Sequence, residues 1–226
     1  MTLSYRDRLD HWHWCREYID RECVYRVGWN EDKTYRPMIP GKAPGSTYTW
    51  QFYLRRATFN AEFARRLGFL FWDRFEPVFR QQPFQLGACQ PSGPPIATAI
   101  QHTAPGFNVN ALLVRRTPKN FGTDNWFDGQ ALRGIPVLMV DDIAASAPFL
   151  LLGAARVRHK LGLPLHFNYF TIVNKVGRGF HKVNQHTENY LDNELVSLFT
   201  MNNFAHDVER FAERYGHPPK WSGLVA

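Results

Sequence analysis

The chain has 226 residues, 44% of them apolar and 21% charged, and carries a net charge of +7. Those proportions exclude an intrinsically disordered or bilayer-embedded polypeptide, and the length suits one soluble domain with a sizeable core. The positive balance favours anionic partners, either phosphorylated metabolites or nucleic acid. The bases fall largely as doublets, such as Arg55 with Arg56, Arg65 with Arg66 and Arg115 with Arg116. Nucleic-acid binding is therefore permitted without being indicated.

Near the start, Leu9, Trp12, Cys15, Ile19 and Cys23 recur at steps of three and four, which predicts an amphipathic helix. Residues 28–49, rich in Gly, Pro, Thr and Lys, predict an irregular loop. Asn60 is placed to cap a second helix that carries Phe63, Leu67, Leu70, Phe71, Phe75 and Val78 on one face. From residue 84 strands and helices alternate. A strand at 84–89 precedes a helix at 94–102 with proline in its first turn. A strand at 108–116 leads into a polar loop, and "IPVLMVDD" at 135–142 forms the next strand. A helix at 148–162, a strand at 165–175 and a helical stretch at about 193–215 complete the pattern.

That alternation predicts an α/β fold with a parallel sheet, helices on both faces and right-handed crossovers. The expected organisation is an N-terminal helical and hood region over 1–80, then an α/β core with a helical tail over 81–226. Three sparse cysteines suit a reducing compartment. No apolar leader core is present, and the longest apolar run, residues 147–155, is too short to span a bilayer. A cytoplasmic protein with no membrane partner is expected.

Ligands of an open parallel sheet bind beyond the carboxyl ends of its strands. Those ends collect Gln90 to Gly93, Arg115 and Arg116, Asp141 and Asp142, and Asn174 and Lys175. Carboxylates accept from sugar hydroxyls while Arg and Lys meet phosphate, so this edge suits a sugar phosphate. The acids would equally serve a helix cap, and Ser92 with Gly93 a plain helix-start turn. Other motifs fall away. "HWHWC" splays its alternate side chains around a helix with no second ligand pair. In "PGKAPGST" the lysine precedes the glycine, and no strand leads into it. Ser92 lacks the flanking spacing of a nucleophile elbow.

The stretch from Gly87 to Gly177 resembles the type I phosphoribosyltransferases, and the orotate phosphoribosyltransferases in particular. "VLMVDDIAASAPFLLLGAARV" is similar to the family's PRPP motif: an apolar strand, two acids, a loop and a helix. "LLVRRTPKNFGTDNWFDG" resembles the orotate enzymes' catalytic loop, and "GACQPSGPPIATAI" their pyrophosphate-contacting turn and helix. More weakly, "GSTYTWQFYLRRATFNAEF" resembles the hood segment over the base. The resemblance implies PRPP as ligand, Mg²⁺ as cofactor and a homodimer with shared active sites. By position, Asp141 and Asp142 would hold the ribose hydroxyls. Arg115, Arg116 and Lys119 would grip pyrophosphate, with backbone N–H groups of Ser92 and Gly93 beside them. Ala145 and Ser146 would lie at the 5′-phosphate. No protein-only metal site is expected.

Two departures stand out. Where the family sets glycines and threonine hydroxyls around the 5′-phosphate, this chain has Ala145, Ser146, Ala147, Pro148 and Phe149. Phe121 stands where the orotate enzymes have a loop histidine. A hydrogen bond to a charged group is worth about 1.5–3 kcal/mol, so losing two or three would weaken PRPP binding by roughly a hundredfold or more. The expected function is thus a divergent orotate-phosphoribosyltransferase-like protein. The alternative is a catalytically degenerate effector or binding subunit of a bacterial defence complex, as in some retrons, able to contact nucleic acid.

Overall fold

The computed structural model describes residues 3–29, 31–41, 44–118, 126–144, 148–175 and 194–220. The N-terminal helix α1 spans Tyr5–Tyr18, with the Ser4 hydroxyl accepting from the Asp7 N–H, and continues as a π-helical turn over Ile19–Cys23. Cys15, Ile19 and Cys23 are fully buried, as the spacing requires.

Residues 28–49, expected as irregular loop, instead contain short antiparallel pairs. After β1 (Val24–Arg26), strand β2 (Gly28–Trp29) pairs with β3 (Tyr35–Arg36), and β4 (Ile39–Pro40) with β5 (Thr47–Tyr48). Strand β6 (Trp50–Phe52) then returns alongside β1. Two-residue strands leave no periodicity to read; pairing across the turn, not local pattern, makes them. A single turn α2 (Arg55–Thr58) leads into the long helix α3 (Ala61–Gln81), whose Asn60 side chain accepts from the Phe63 N–H as a cap.

The central sheet comprises β7 (Gln85–Cys89), β8 (Ala111–Val114), β9 (Phe127–Asp128), β10 (Val137–Ala144), β11 (Leu165–Asn174) and β12 (Glu194–Thr200). The spatial order is β12-β11-β10-β7-β8-β9, parallel throughout except for β9, which runs against β8. Helices α4 (Gly93–His102) and α5 (Pro148–Leu161) form the crossovers, and α6 (Val208–Tyr215) closes the described chain.

Alternation on β10 divides the core. Leu138 and Val140 join the cluster built with α1, α3 and α4, while Val137 and Met139 join the one built with α5. Helices therefore cover both faces. The first cluster runs without a break from Cys15 and Phe63 to Leu86, Phe170 and Phe199. Aromatic contacts thicken it, with Phe71 stacked on Phe75 at 4.5 Å and edge-on to Phe170 at 5.0 Å.

The tail corrects the sequence reading. The helix expected over about 193–215 is a strand for its first part, because "ELVSLFT" pairs in parallel along the open edge of β11 from Asn168↔Glu194 to Asn174↔Thr200. The hydroxyls of Thr171 and Ser197 meet across that pair at 2.9 Å. Only Val208–Tyr215 is α-helix, capped by the Asp207 side chain and ended by Gly216 at φ 75°.

A fully buried ionic group ties this tail to the N-terminal region. Asp20 pairs with Arg26 and accepts from Arg214 Nη1 at 2.6 Å, the Tyr215 hydroxyl at 3.1 Å and the Ala205 N–H at 3.1 Å. Arg26 in turn donates to the carbonyls of Ala205, Asp20 and Val24. Every polar atom of the carboxylate has a partner, which is what makes such a burial tolerable.

Candidate functional site

Strand β10 lies between β11 and β7, but its two neighbours end at different heights. Pairing with β7 stops at Val140↔Ala88, whereas pairing with β11 continues through Asp141↔Thr171 to Ala144↔Asn174. The chain after β7 turns away through Gln90, Pro91 and Ser92 into α4. Asp141 and Asp142 thus occupy the part of the strand beyond the point where β7 stops pairing with it. They sit inside β10 instead of at its end, because β11 carries the ladder two residues further.

Both acids are half-buried. The Asp142 N–H donates to Asp141 Oδ1 at 2.9 Å. Burial, and then the charge of Asp142, pushes Asp141 up to about 8. Asp142 is also raised by burial, opposed by hydrogen bonds from the Ser92 hydroxyl and from Asp141. Burial thus raises both carboxyls above the ordinary carboxylate range.

Ser92 is buried at the start of α4. Gly93 follows because nothing larger fits: a Cβ there would lie 2.8 Å from the Ala88 carbonyl carbon and 2.8 Å from the Val140 oxygen. The absence of a side chain lets the helix start press against the backbones of β7 and β10, which brings Ser92 to Asp142.

On the other side of β7, Arg115 forms an ion pair with Asp128, and its N–H donates to the Trp126 carbonyl at 2.8 Å. Its guanidinium is committed to joining β8 to β9. Arg116 is exposed at the same stem. Arg156 of α5 donates to the carbonyls of Arg115 at 2.8 Å and Arg116 at 3.3 Å, and its guanidinium carbon lies 4.0 Å above the Trp126 ring. Lys119, Phe121, Ala145, Ser146 and Ala147 lie outside the described residues, and nothing is described of the Phe149 side chain. Helix α5 begins at Pro148, which has no N–H to offer.

Three residues join this edge that motif reading did not assemble. Lys175, directly after β11, donates its N–H to the Ala144 carbonyl at 2.8 Å. Its ammonium lies 4.5 Å from the centre of the Trp50 ring and 5.8 Å from Phe52. His206 stacks on Trp50 at 4.4 Å and an interplanar angle of 15°. Burial lowers the Lys175 ammonium, and no carboxylate pairs with it among the described residues. Lys175 was visible as a strand-end cation. Trp50 lay in the hood-like segment, but only the β1–β6 pairing and the tail bring it and His206 together.

Among the described residues no group of three or more His, Cys, Asp or Glu side chains could hold a metal ion by itself. No helix is long and apolar enough to cross a membrane, among those same residues.

Comparison with known structures identifies the architecture as the type I phosphoribosyltransferase fold. The orotate phosphoribosyltransferase of Mycobacterium tuberculosis H37Rv, solved with Fe(III) dicitrate, superposes with a TM-score of 0.65 at 20% identity, over 87% of this chain and 98% of that one. The same enzyme solved with PRPP gives a TM-score of 0.57 at 18% identity, over 90% and 94% of the two chains. In sequence, the chain resembles orotate phosphoribosyltransferases. That of Methanocaldococcus jannaschii is 24% identical over 159 residues, 70% of this chain and 82% of the relative. That of Corynebacterium glutamicum is 32% identical over 111 residues, 46% and 55% of the two. No family model matches the sequence.

Proposed function

We propose that this chain is a divergent phosphoribosyltransferase-like protein that takes PRPP, or a related sugar phosphate or nucleotide, at the edge formed by Asp141, Asp142 and the Ser92 turn. The half-buried pair Asp141 and Asp142, with Ser92 bonded to it, is the observation that carries this reading. Two adjacent carboxylates suit the vicinal hydroxyls of a ribose. The turn at Ser92 and Gly93 supplies backbone N–H groups for an anion, and Lys175 adds a cation at the neighbouring strand end. Arg116 and Lys119 are the proposed pyrophosphate contacts. Arg115 supports them from the stem through its ion pair with Asp128.

The carboxylates are hard oxygen donors, and Mg²⁺ is usually held by one or two of these together with substrate phosphates. They fit a magnesium ion that arrives on the pyrophosphate, where it would neutralise the leaving group's charge. The chain's own part is to orient the sugar and the leaving pyrophosphate. A homodimer is the proposed assembly.

A second reading, ligand binding without turnover, is favoured by the start of α5. A helix N-terminus attracts phosphate through its free N–H groups. Here the first helical residue is Pro148, after Ala145, Ser146 and Ala147. Such a protein would act as an effector or subunit, in a defence complex or in contact with nucleic acid.

Titration calorimetry with PRPP and Mg²⁺, orotate, nucleoside monophosphates and single-stranded RNA or DNA separates the readings. Saturable PRPP binding that disappears in Asp141→Asn/Asp142→Asn supports the phosphoribosyl site. Pyrophosphate release with a base present makes it an enzyme. Nucleic-acid binding without sugar-phosphate binding overturns the first reading.

A further inference from the structure

Helix α5 approaches the sheet most closely at Gly153. A Cβ there would stand 3.1 Å from Cys89 Sγ, 3.0 Å from Met139 Cε and 3.4 Å from Val114 Cγ1. The missing side chain lets α5 settle onto β7, β8 and β10 together. Arg156 lies three residues further along the same helix face, and helical side chains lean back toward the N-terminus. Its guanidinium thereby returns to the end of β8, where Nη1 donates to the Arg115 carbonyl at 2.8 Å and the Arg116 carbonyl at 3.3 Å. The guanidinium carbon also sits 4.0 Å from the centre of the Trp126 ring. Trp126 carries the carbonyl that accepts from the Arg115 N–H. One side chain of α5 therefore holds residues 115, 116 and 126.

We propose that Arg156 is a positioning residue for the pyrophosphate end of the ligand, acting through Arg116. The proposal rests on the phosphoribosyl reading of the site. The ladder between β8 and β9 reaches Val114↔Phe127 and the Arg115 N–H. Past it, Arg156 holds the backbone from which the exposed Arg116 side chain projects. Fixing that peptide in advance lowers the ordering cost when Arg116 meets a charged group. Helix α5 follows β10, so the same contact sets Arg116 in a fixed relation to the strand that carries Asp141 and Asp142. The ends that hold the ribose and the pyrophosphate would then be aligned by one rigid support.

Titration calorimetry with Mg²⁺ and PRPP, which carries the pyrophosphate, is compared with uridine 5′-monophosphate, which does not. Arg156→Met is expected to weaken PRPP binding about tenfold and to leave the monophosphate within about twofold. Arg156→Lys, which keeps a cationic donor for the carbonyls, should recover most of the loss. Combining Arg116→Ala with Arg156→Met should cost no more than Arg116→Ala alone, since both act through one contact. Trp126→Leu removes the ring beneath the guanidinium and should give the same selective loss, which keeps the test open if Arg156→Met melts early. Unchanged PRPP affinity, an equal loss of both ligands, or losses that multiply in the double variant each overturn the proposal. A chain that binds PRPP and ignores Arg156 removes this proposal alone. If the unmodified chain takes neither PRPP nor inorganic pyrophosphate, the phosphoribosyl reading falls and the proposal falls with it.

Discussion

The ammonium of Lys175 lies 4.5 Å from the centre of the Trp50 ring, and the imidazole of His206 stacks on that same ring at 4.4 Å. The hood-like segment, the end of β11 and the tail thus meet at one indole. Among the described residues no carboxylate pairs with that cation, and the proposed site would set it toward an anionic ligand. Lys175→Met is expected to weaken PRPP or nucleotide binding by about tenfold, the loss of one charge-assisted hydrogen bond. Calorimetry checks it. Affinity unchanged by the substitution would place the ligand elsewhere.

The acid pair makes stability depend on pH in a direction that can be stated beforehand. Asp141 is raised from an ordinary carboxylate value to about 8 by burial and by Asp142, and Asp142 is raised as well. A group with a raised folded-state value contributes fully below about pH 4, and its contribution is lost as pH climbs through its folded value. Stability should therefore decline between about pH 4 and pH 8. Asp141→Asn should raise the melting temperature at pH 8 by several degrees and change it little at pH 4, since each kcal/mol moves the midpoint of a domain this size by about 2–4 °C. Calorimetric melts across that range decide the matter. The double Asn variant should also lose sugar-phosphate binding while remaining folded.

Breaking the buried ionic group should cost far more. Arg26→Met leaves Asp20 with only part of its compensation in a site of zero exposure. Removing one partner of a buried pair costs about 3–5 kcal/mol, so the melting temperature should fall by roughly 10 °C. Lys220→Ala, which removes an exposed partner of Glu31 at 3.1 Å, should leave it within a degree or two. Equal effects from the two would show that the Asp20 group is not what holds the tail.

The loop that precedes α5 can be repaired. Ala145→Thr, Ser146→Thr, Ala147→Gly, Pro148→Gly and Phe149→Thr return an N–H and hydroxyls to a helix start that already favours an anion. The repaired protein is expected to bind PRPP at least tenfold more tightly than the unmodified one. Replacing proline by glycine costs about 0.4–1 kcal/mol through the unfolded chain, so a thermal melt must accompany the titration. Tight binding by the unmodified chain would refute the idea that this loop lost its phosphate donors.

How much of this was legible from residues alone varied with the source of each element's stability. Helix α3 was readable because Asn60 and the apolar face beginning at Phe63 carry both a cap and a period. Strand β10 was readable because Val137 to Val140 is buried on both faces and so is continuously apolar. Strand β12 was not. Val196 and Leu198 pack on one cluster and Leu195 on the other, a pattern that also fits a short amphipathic helix until the free edge of β11 selects the strand. The acids and the Ser92 turn could be found as strand-end residues. The commitment of Arg115 to Asp128, the clamp by Arg156, and the meeting of Trp50 with His206 arise from contacts across the fold that leave no local trace.

The bond from Arg26 to the Ala205 carbonyl joins residues 179 apart. During synthesis Arg26 and Asp20 emerge early and can meet each other, but their other partners, Ala205, Arg214 and Tyr215, emerge late. The ionic group around Asp20 is therefore complete only once Tyr215 is available. Folding of this protein should be late and concerted, its first segment completed by one of its last, so nascent chains stalled before residue 205 should remain open to protease and to chaperones.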